Sequence, residues 1–239
     1  MRRRRLGINL DHIVGLRHAR RTPYPEPTYA AAVAQDAGAS HITAHLREDR
    51  RHVQERDVRL LRQTLHVPFN LAMAASAEMA KFALDVKPDQ VTLVAEHRDE
   101  FTTEGGLDVS NGRDHLKRSC HDLQDADIEV SVFIDPDLDQ VRAAHRINVH
   151  MVELHTGKYA DARTDKERRV ELLRIADAAR AANKLGMRVS AGHGLHFHNI
   201  QDLVPIDEIE AYNVGHGVVA RAVFTGLYRA VADMLALLR

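Results

Sequence analysis

Short apolar runs alternate along the chain with longer segments whose apolar residues recur every three to four positions. The short runs predict buried strands, because their Val, Ile, Leu and Ala residues are closely spaced. The predicted strands are Leu6–Ile13, His41–Leu46, Pro68–Met73, Gln90–Glu96, Ile128–Asp135, Met151–Gly157, Arg188–Gly194 and Glu208–Gly217. The predicted helices are Thr28–Ala37, Gln54–Leu65, Ala77–Val86, Gly112–Gln124, Leu138–His145, Lys166–Leu185, Asn199–Leu203 and Val218–Leu238.

This alternation predicts the fold class. Strand, helix, strand repeats without a Pro/Gly-rich linker indicate a parallel sheet with right-handed crossovers. Eight repeats indicate closure into an α/β (β/α)8 TIM barrel with additional short helices, and 239 residues suit one barrel domain, residues 1–239. An open doubly wound sheet is the alternative. Because no G-x-G-x-x-G follows the first strand, the dinucleotide-binding version of that sheet is weakened.

The charge balance and composition exclude several broad classes. The chain has 33 Lys and Arg against 34 Asp and Glu and only 5% aromatic residues, which gives no general attraction to nucleic acid or membranes. No apolar run of about 20 residues predicts a membrane span. The basic start, Met1–Arg5, is not followed by a signal-peptide apolar region, and Cys120 is the only cysteine. We therefore expect a cytoplasmic protein whose anion binding is local.

Polar residues recur where the predicted strands end. In a TIM barrel these positions form the active site, so repeated histidines and carboxylates there predict one shared polar pocket. One such histidine alone is more often structural, but several around one cavity suit repeated proton transfers near neutral pH. The residues are Asn9, Asp11, His12, His45, Arg47, Glu96, Thr102, Glu153, His155, His193 and His216.

Two Gly-His-Gly turns follow the last two predicted strands, at residues 192–194 and 215–217. Each precedes a predicted helix, and glycine turns at helix N-termini bind phosphate after strands 7 and 8 of such barrels. A basic segment, Leu46–His52, offers Arg47 and His52 as a second anion site. Arg17–Arg20 is a third basic segment, in which surface charge and function are equally expected. Two sites predict two phosphorylated ligands.

Six segments together resemble the pyridoxine 5′-phosphate synthase family over essentially the whole chain. The resemblance implies condensation of 1-deoxy-D-xylulose 5-phosphate with 3-amino-1-hydroxyacetone 1-phosphate to pyridoxine 5′-phosphate, inorganic phosphate and water. It implies no metal or organic cofactor, and a homo-octameric assembly. The segments are Gly7–Ile13, His45–His52, Thr102–Asp108, Val152–Gly157, Ala191–Leu195 and Asn213–His216.

The resemblance also implies roles for individual residues. His45 is implied as a general base, His193 as a proton donor, and Glu153 as a group that stabilises charge in the transition state. The residues implied to bind the amino ketone phosphate are Asn9, Arg20, Gly194, Gly215 and His216. The residues implied to bind the deoxyxylulose phosphate are Asp11, His12, Arg47, His52 and Thr102.

One position departs from the family pattern. The third strand of the family ends in Asn-Leu/Phe-Glu-Met with a catalytic glutamate, whereas this chain has Ala72 there. Glu78, Glu96 and Glu104 are not obvious substitutes. The chain is a divergent enzyme using another group or water, an engineered inactive variant, or a homologue that binds without efficient turnover. Because losing one general base costs on the order of 10²–10⁴ in rate, we expect phosphate binding with slow turnover.

Two further interpretations stay open at this point. A metal-dependent hydrolase is one, because the histidines at the strand ends, Glu153 and the pair His196 and His198 are zinc-ligand types, although the usual first-strand signature of such enzymes is absent. A phosphometabolite-binding protein without catalysis is the other, and Ala72 is its support. We also expect the polar insertion Glu96–Ser110 to move when ligands bind.

Overall fold

The computed structural model describes residues 4–96 and 105–239 and contains a closed barrel of eight parallel strands. Each strand pairs with the next along the chain, and β8 pairs with β1. The strands are β1 (Arg5–Asn9), β2 (His41–His45), β3 (Phe69–Met73), β4 (Gln90–Leu93), β5 (Glu129–Ile134), β6 (Met151–His155), β7 (Arg188–Gly192) and β8 (Ile209–Val214). The predicted (β/α)8 TIM barrel is confirmed.

Helices connect the strands. Three of them begin at side chains that accept backbone hydrogen bonds, namely Ser76, Asp137 and Thr164, as expected for helix N-termini. Within the described ranges the helices are α1 (Asp11–Arg20), α2 (Pro27–Asp36), α3 (Glu55–Thr64), α4 (Ala77–Val86), α5 (Arg113–Gln124), α6 (Leu138–Arg146), α7 (Gly157–Ala160), α8 (Asp165–Lys184), α9 (His216–Thr225) and α10 (Leu227–Ala236), with a short 3-10 helix at Ile200–Asp202.

Apolar and polar residues alternate along the strands. Ile42, Leu71 and Val91 are fully buried in the large apolar core shared with the helices. The residues between them bond across the barrel wall: the Asn70 side chain donates to Thr43 at 3.2 Å and accepts from Thr92 at 3.0 Å. Because side chains alternate between the two faces of a strand, these polar groups line the barrel interior.

The first predicted strand, Leu6–Ile13, is too long. β1 ends at Asn9, and α1 begins at Asp11. The Asn9 side chain accepts a hydrogen bond from the backbone N–H of Asp11 at 2.8 Å, which turns the chain out of the sheet. The spacing of Leu10, Ile13 and Val14 is that of a helix, so Asp11 and His12 lie on the first turn of α1.

The C-terminal prediction also needs correction. The segment Val218–Leu238 forms two helices, α9 and α10, because Gly226 has a φ of 79° and interrupts the backbone. The predicted strand Glu208–Gly217 ends earlier, at Val214, and His216 begins α9. Neither α1 nor the one-turn helix α7 was predicted from the sequence. In the described part of the chain, no helix combines the length and apolarity needed to cross a membrane.

Candidate active site

Asp11 connects the first two strands at the barrel mouth. Its backbone N–H is held by Asn9, and its Oδ1 accepts a hydrogen bond from the backbone N–H of His45 at 2.8 Å. Three residues predicted at strand ends are therefore joined in one network. The network fixes the start of α1 against the end of β2.

His45 contacts a carboxylate. Its Nε2 lies 2.8 Å from Oε1 of Glu96, whose Oε2 accepts from the backbone N–H of Glu48 at 3.1 Å. Burial opposes ionisation of Glu96, but the hydrogen bond and charge of His45, the Glu48 amide and Arg47 together hold its pKa below the ordinary value. Glu96 therefore orients His45 as a carboxylate and is a weak base itself. The sequence had not indicated this pairing.

Ala72 is the strand neighbour of His45. The two residues are paired in the β2–β3 ladder, and Ala72 is paired with Thr92 on its other side. It belongs to a small buried apolar cluster with Val94 and Phe133. A carboxylate at position 72 would thus begin directly beside His45, where this chain has only a methyl group.

His12 lies beside His216, which follows the neighbouring strand β8. Its ring centroid is 5.1 Å from that of His216. Burial lowers the pKa of His12, Asp11 opposes this, and the nearby rings of His216, His193 and His52 lower it further. His12 is therefore neutral near pH 7 and can accept a proton. Among the described residues, its buried Nδ1 has no hydrogen-bond partner.

The turns after β6, β7, β8 and β1 pack directly on one another. A Cβ at Gly194 would lie 2.5 Å from Cβ of Ala160, and one at Gly217 would lie 2.6 Å from the carbonyl oxygen of Leu195. A Cβ at Gly215 would approach Nδ1 of His12 to 3.1 Å. The two Gly-His-Gly turns therefore lie side by side, and glycine is what permits this close approach.

His193 is held in an unusual backbone conformation. Its φ is 80°, a value that costs a non-glycine residue on the order of 1–3 kcal/mol. Its ring stacks on His155 at 4.7 Å, and Nδ1 of His155 lies 3.7 Å from Asp135, which also pairs with Lys158 at 2.9 Å. Strain and stacking together fix the direction of the His193 ring.

Glu153 is a buried carboxyl group on β6. Burial raises its pKa to about 7, and a side-chain hydrogen bond from Asn213 opposes part of this rise. A Cβ at Gly192 would lie 2.4 Å from Oε1 of Glu153, so this carboxyl occupies space that only glycine leaves open. Near neutral pH, Glu153 is balanced between its acid and its anion.

Arg47 and His52 follow β2 and lie on its side of the mouth. Arg47 is only 4% exposed, with its Nε 3.8 Å from Asp49. The His52 ring centroid lies 5.4 Å from that of His18, with the two rings tilted, and His52 lines a groove of about 500 Å³ beside α1 and α3. Arg20 is exposed at the end of α1. The contacts found within the described ranges do not join it to the histidines, and Thr102 lies outside those ranges.

The candidate zinc-ligand side chains do not form a metal site in the described part of the chain. Within residues 4–96 and 105–239, no group of three or more His, Cys, Asp and Glu side chains is arranged to hold a metal ion. The pair His196 and His198 is linked instead by a 3.2 Å hydrogen bond from the His198 backbone to Nδ1 of His196.

Comparison with known proteins identifies relatives over almost the whole chain. Residues 6–239 match the family described as pyridoxal phosphate biosynthesis protein PdxJ. A pyridoxine 5′-phosphate synthase of Geobacter sulfurreducens is 51% identical over 98% of both chains. One of Photobacterium profundum is 51% identical over 96% of this chain and 94% of its own.

Solved structures of lower identity share the fold. The structure of KGPDC from Streptococcus mutans has a TM-score of 0.63 at 17% identity, covering 98% of this chain and 97% of that chain. Similarity at this identity supports the barrel alone. The family match and the relatives at about 50% identity are far more specific, and by them the chain belongs to the PdxJ family.

Proposed function

We propose that the chain condenses 3-amino-1-hydroxyacetone 1-phosphate with 1-deoxy-D-xylulose 5-phosphate to give pyridoxine 5′-phosphate, inorganic phosphate and water. Membership of the PdxJ family and the similarity to pyridoxine 5′-phosphate synthases support this reaction. The observation that carries the proposal is the convergence of His12, His45, His193 and His216 from different strands, helices and turns at one barrel mouth. Forming an aromatic ring from two open-chain molecules requires proton transfer at several atoms, and such a cluster supplies it.

The two phosphates have different candidate sites in this proposal. The amino ketone phosphate binds at the turns after β7 and β8, where Gly194 lies in the first turn and Gly215 and His216 begin α9, with Asn9 beside Gly215. Arg20 completes this set by family resemblance. The deoxyxylulose phosphate binds toward β2, where Asp11, His12, Arg47 and His52 lie, with Thr102 as a further contact.

Proton transfer is divided between two histidines in this proposal. His45, oriented by Glu96, removes protons from the condensing carbon and nitrogen atoms. His193 donates a proton to the departing oxygen when water or phosphate leaves. Glu153, with its pKa near 7, stabilises positive charge that develops on the substrates. No organic cofactor or metal is required for these steps.

The test is incubation of the protein with both substrates, following phosphate and pyridoxine 5′-phosphate together. We expect both products in equal amounts, with neither formed when one substrate is omitted. Tight calorimetric binding of substrate analogues without product, even at high enzyme concentration, would overturn the proposal in favour of a phosphometabolite-binding protein. Phosphate release from a single substrate, dependent on stoichiometric zinc, would favour a metal-dependent hydrolase.

We also propose that the protein works in the cytoplasm as a homo-oligomer, an octamer by family resemblance. Exposed apolar side chains on α9 and α10 support self-association, because Val223 is 72%, Phe224 89% and Tyr228 56% exposed. Light scattering coupled to size-exclusion chromatography should give eight times the 26.8 kDa chain mass. A monomer mass at micromolar concentration would contradict the assembly.

A further inference from the structure

A buried hydrogen bond crosses the barrel interior between β2 and β8. Nε2 of His41 lies 2.6 Å from Oδ1 of Asn213. Both side chains are buried, at 8% and 9% exposure. His41 begins β2, and Asn213 is close to the end of β8, with β1 between the two strands. Neither the sequence patterns nor the proposed chemistry uses this histidine.

Gly7 of β1 makes the contact possible. It is paired with His41 on one side and with Asn213 on the other. A Cβ at Gly7 would lie 2.1 Å from Nε2 of His41 and 2.3 Å from Oδ1 of Asn213. Any other residue at this position would occupy the space in which the two side chains meet. The absence of a side chain at Gly7 therefore leaves the space in which this hydrogen bond forms.

Asn213 is bonded to Glu153 as well, and its amide group decides the direction of both hydrogen bonds. Oδ1 of Asn213 faces His41, and an amide oxygen only accepts, so Nε2 of His41 must carry the proton. The Asn213 amide nitrogen is then the group left to donate to Glu153. Burial lowers the pKa of His41 to about 4, which keeps the ring neutral and fits a single Nε2 donor.

We infer that His41 is a positioning residue for Glu153: by holding the Asn213 amide in one orientation across Gly7, it directs the amide nitrogen at the Glu153 carboxyl group. The consequence for turnover rests on the proposed function. Without the His41 donor, the Asn213 side chain can rotate or present its oxygen to Glu153. The carboxylate would then lose a donor in a site where burial already disfavours its charge.

The charges around these groups are few and are placed at the far end of the barrel from the mouth. On the strands paired with β6, the neighbours of Glu153 are Phe133 and Ser190, which are uncharged. The charges that act on His41 are Arg5 and Arg188. Both arginines are themselves paired with Glu210, and Arg188 also with Glu129. The Asn213 amide is thus the polar contact through which His41 influences Glu153.

Two substitutions of His41 by amide side chains of different length test the positioning role. His41→Gln keeps an N–H donor that is long enough to approach Asn213, whereas His41→Asn carries the same group on a shorter side chain. The titration of Glu153 is followed by carbon-13 NMR of labelled glutamate carboxyls, with Glu153→Gln to assign the signal. For His41→Asn we expect the Glu153 midpoint to move up by about one pH unit. We expect kcat to fall roughly tenfold, with KM within about twofold.

His41→Gln should keep the Glu153 midpoint and kcat near those of the unaltered chain, because its amide can still donate to Asn213. If His41 only filled space, the donor would not matter and this recovery would not be expected. An unchanged midpoint and unchanged kcat in His41→Asn would overturn the inference. If circular dichroism shows that His41→Asn does not fold, His41→Leu repeats the comparison. The NMR titration needs no substrate, so a shifted midpoint in a chain that makes no pyridoxine phosphate would refute the proposed function and leave the positioning role standing.

Discussion

At the scale of single residues, Ala72 lies beside the proposed general base His45, where a carboxylate would affect the catalytic rate. It is the ladder neighbour of His45, and no other described contact puts an unpaired carboxylate on that side of the base. Glu96 touches His45 but is held as an anion. We predict that Ala72→Glu accelerates product formation on the order of 10²–10⁴, the usual contribution of a general base. Steady-state assays with both substrates measure this.

The control for this substitution is Ala77→Glu, which adds the same charge at an exposed position at the start of α4. It should leave the rate unchanged. Equal rates for the unaltered chain and for Ala72→Glu would show that the site is not impaired by Ala72. The chain would then use another group or water as its second base.

Glu153 gives a prediction for stability against pH. Its folded pKa of about 7 lies above the ordinary 4.5, so the folded state holds a proton more tightly than the unfolded state. This contribution is fully present below about pH 4.5 and is lost as pH rises through 7. Glu153→Gln removes the titration and should therefore gain about 3 kcal/mol relative to the unaltered chain between pH 4.5 and pH 8.

Urea unfolding of the two proteins at several pH values measures this gain. Glu208→Gln, which changes a half-buried glutamate just before β8, is the matched control for removing one carboxyl group. A constant difference between Glu153→Gln and the unaltered chain at all pH values would contradict the raised pKa.

The residue types of the site could be predicted from the sequence, but their partners could not. His45, Glu153 and His193 stand out because polar groups end apolar runs. The pairing of His45 with Glu96 spans 51 positions and depends on how the end of β4 approaches β2 across β3. The bond between His41 and Asn213 depends on a missing side chain at Gly7. Neither feature leaves a periodic signal in the sequence.

At the scale of elements, the turn after β7 is closely packed and has a glycine with positive φ. Gly194 has a φ of 72°, and a Cβ there would lie 2.5 Å from Ala160. We predict that Gly194→Ala destabilises the fold by more than the roughly 1–2 kcal/mol expected for positive φ alone and weakens binding of inorganic phosphate. Urea unfolding and calorimetry measure the two effects.

Gly186 provides the comparison for this turn. Its φ is 81°, and a Cβ there would meet no atom within 4 Å. Gly186→Ala should therefore show the conformational cost without any change in phosphate binding. Equal losses of stability in the two variants, with phosphate binding intact in both, would show that the β7 turn does not form the anion site.

Element boundaries were predicted less well than element order. Helix α4 was predicted with its observed bounds, Ala77–Val86, because Ser76 and the apolar spacing agree. Helix α1 was not predicted, because Leu10, Ile13 and Val14 continue the apolar run of β1. The break at Gly226 was missed because a single glycine inside a helical pattern is usually tolerated.

At the scale of the whole molecule, barrel closure explains why dispersed residues act together. Counting eight strand–helix units predicted the closed sheet, and the pairing of β8 with β1 brings His216 to His12 across more than 200 positions. The carboxyl ends of all eight strands share one face of the barrel. Sequence order therefore predicts which residues meet at the mouth, whereas their distances and protonation depend on packing.

A double-mutant cycle on His45 and His193 tests the central claim, that the strand ends form one catalytic site. The rates of pyridoxine phosphate formation by His45→Ala, His193→Ala and the double variant are compared with that of the unaltered chain. Each single change should cost on the order of 10²–10⁴, and the double variant should be hardly slower than the slower single one, because residues acting as a unit are not additive. Losses that multiply in full would contradict a shared site.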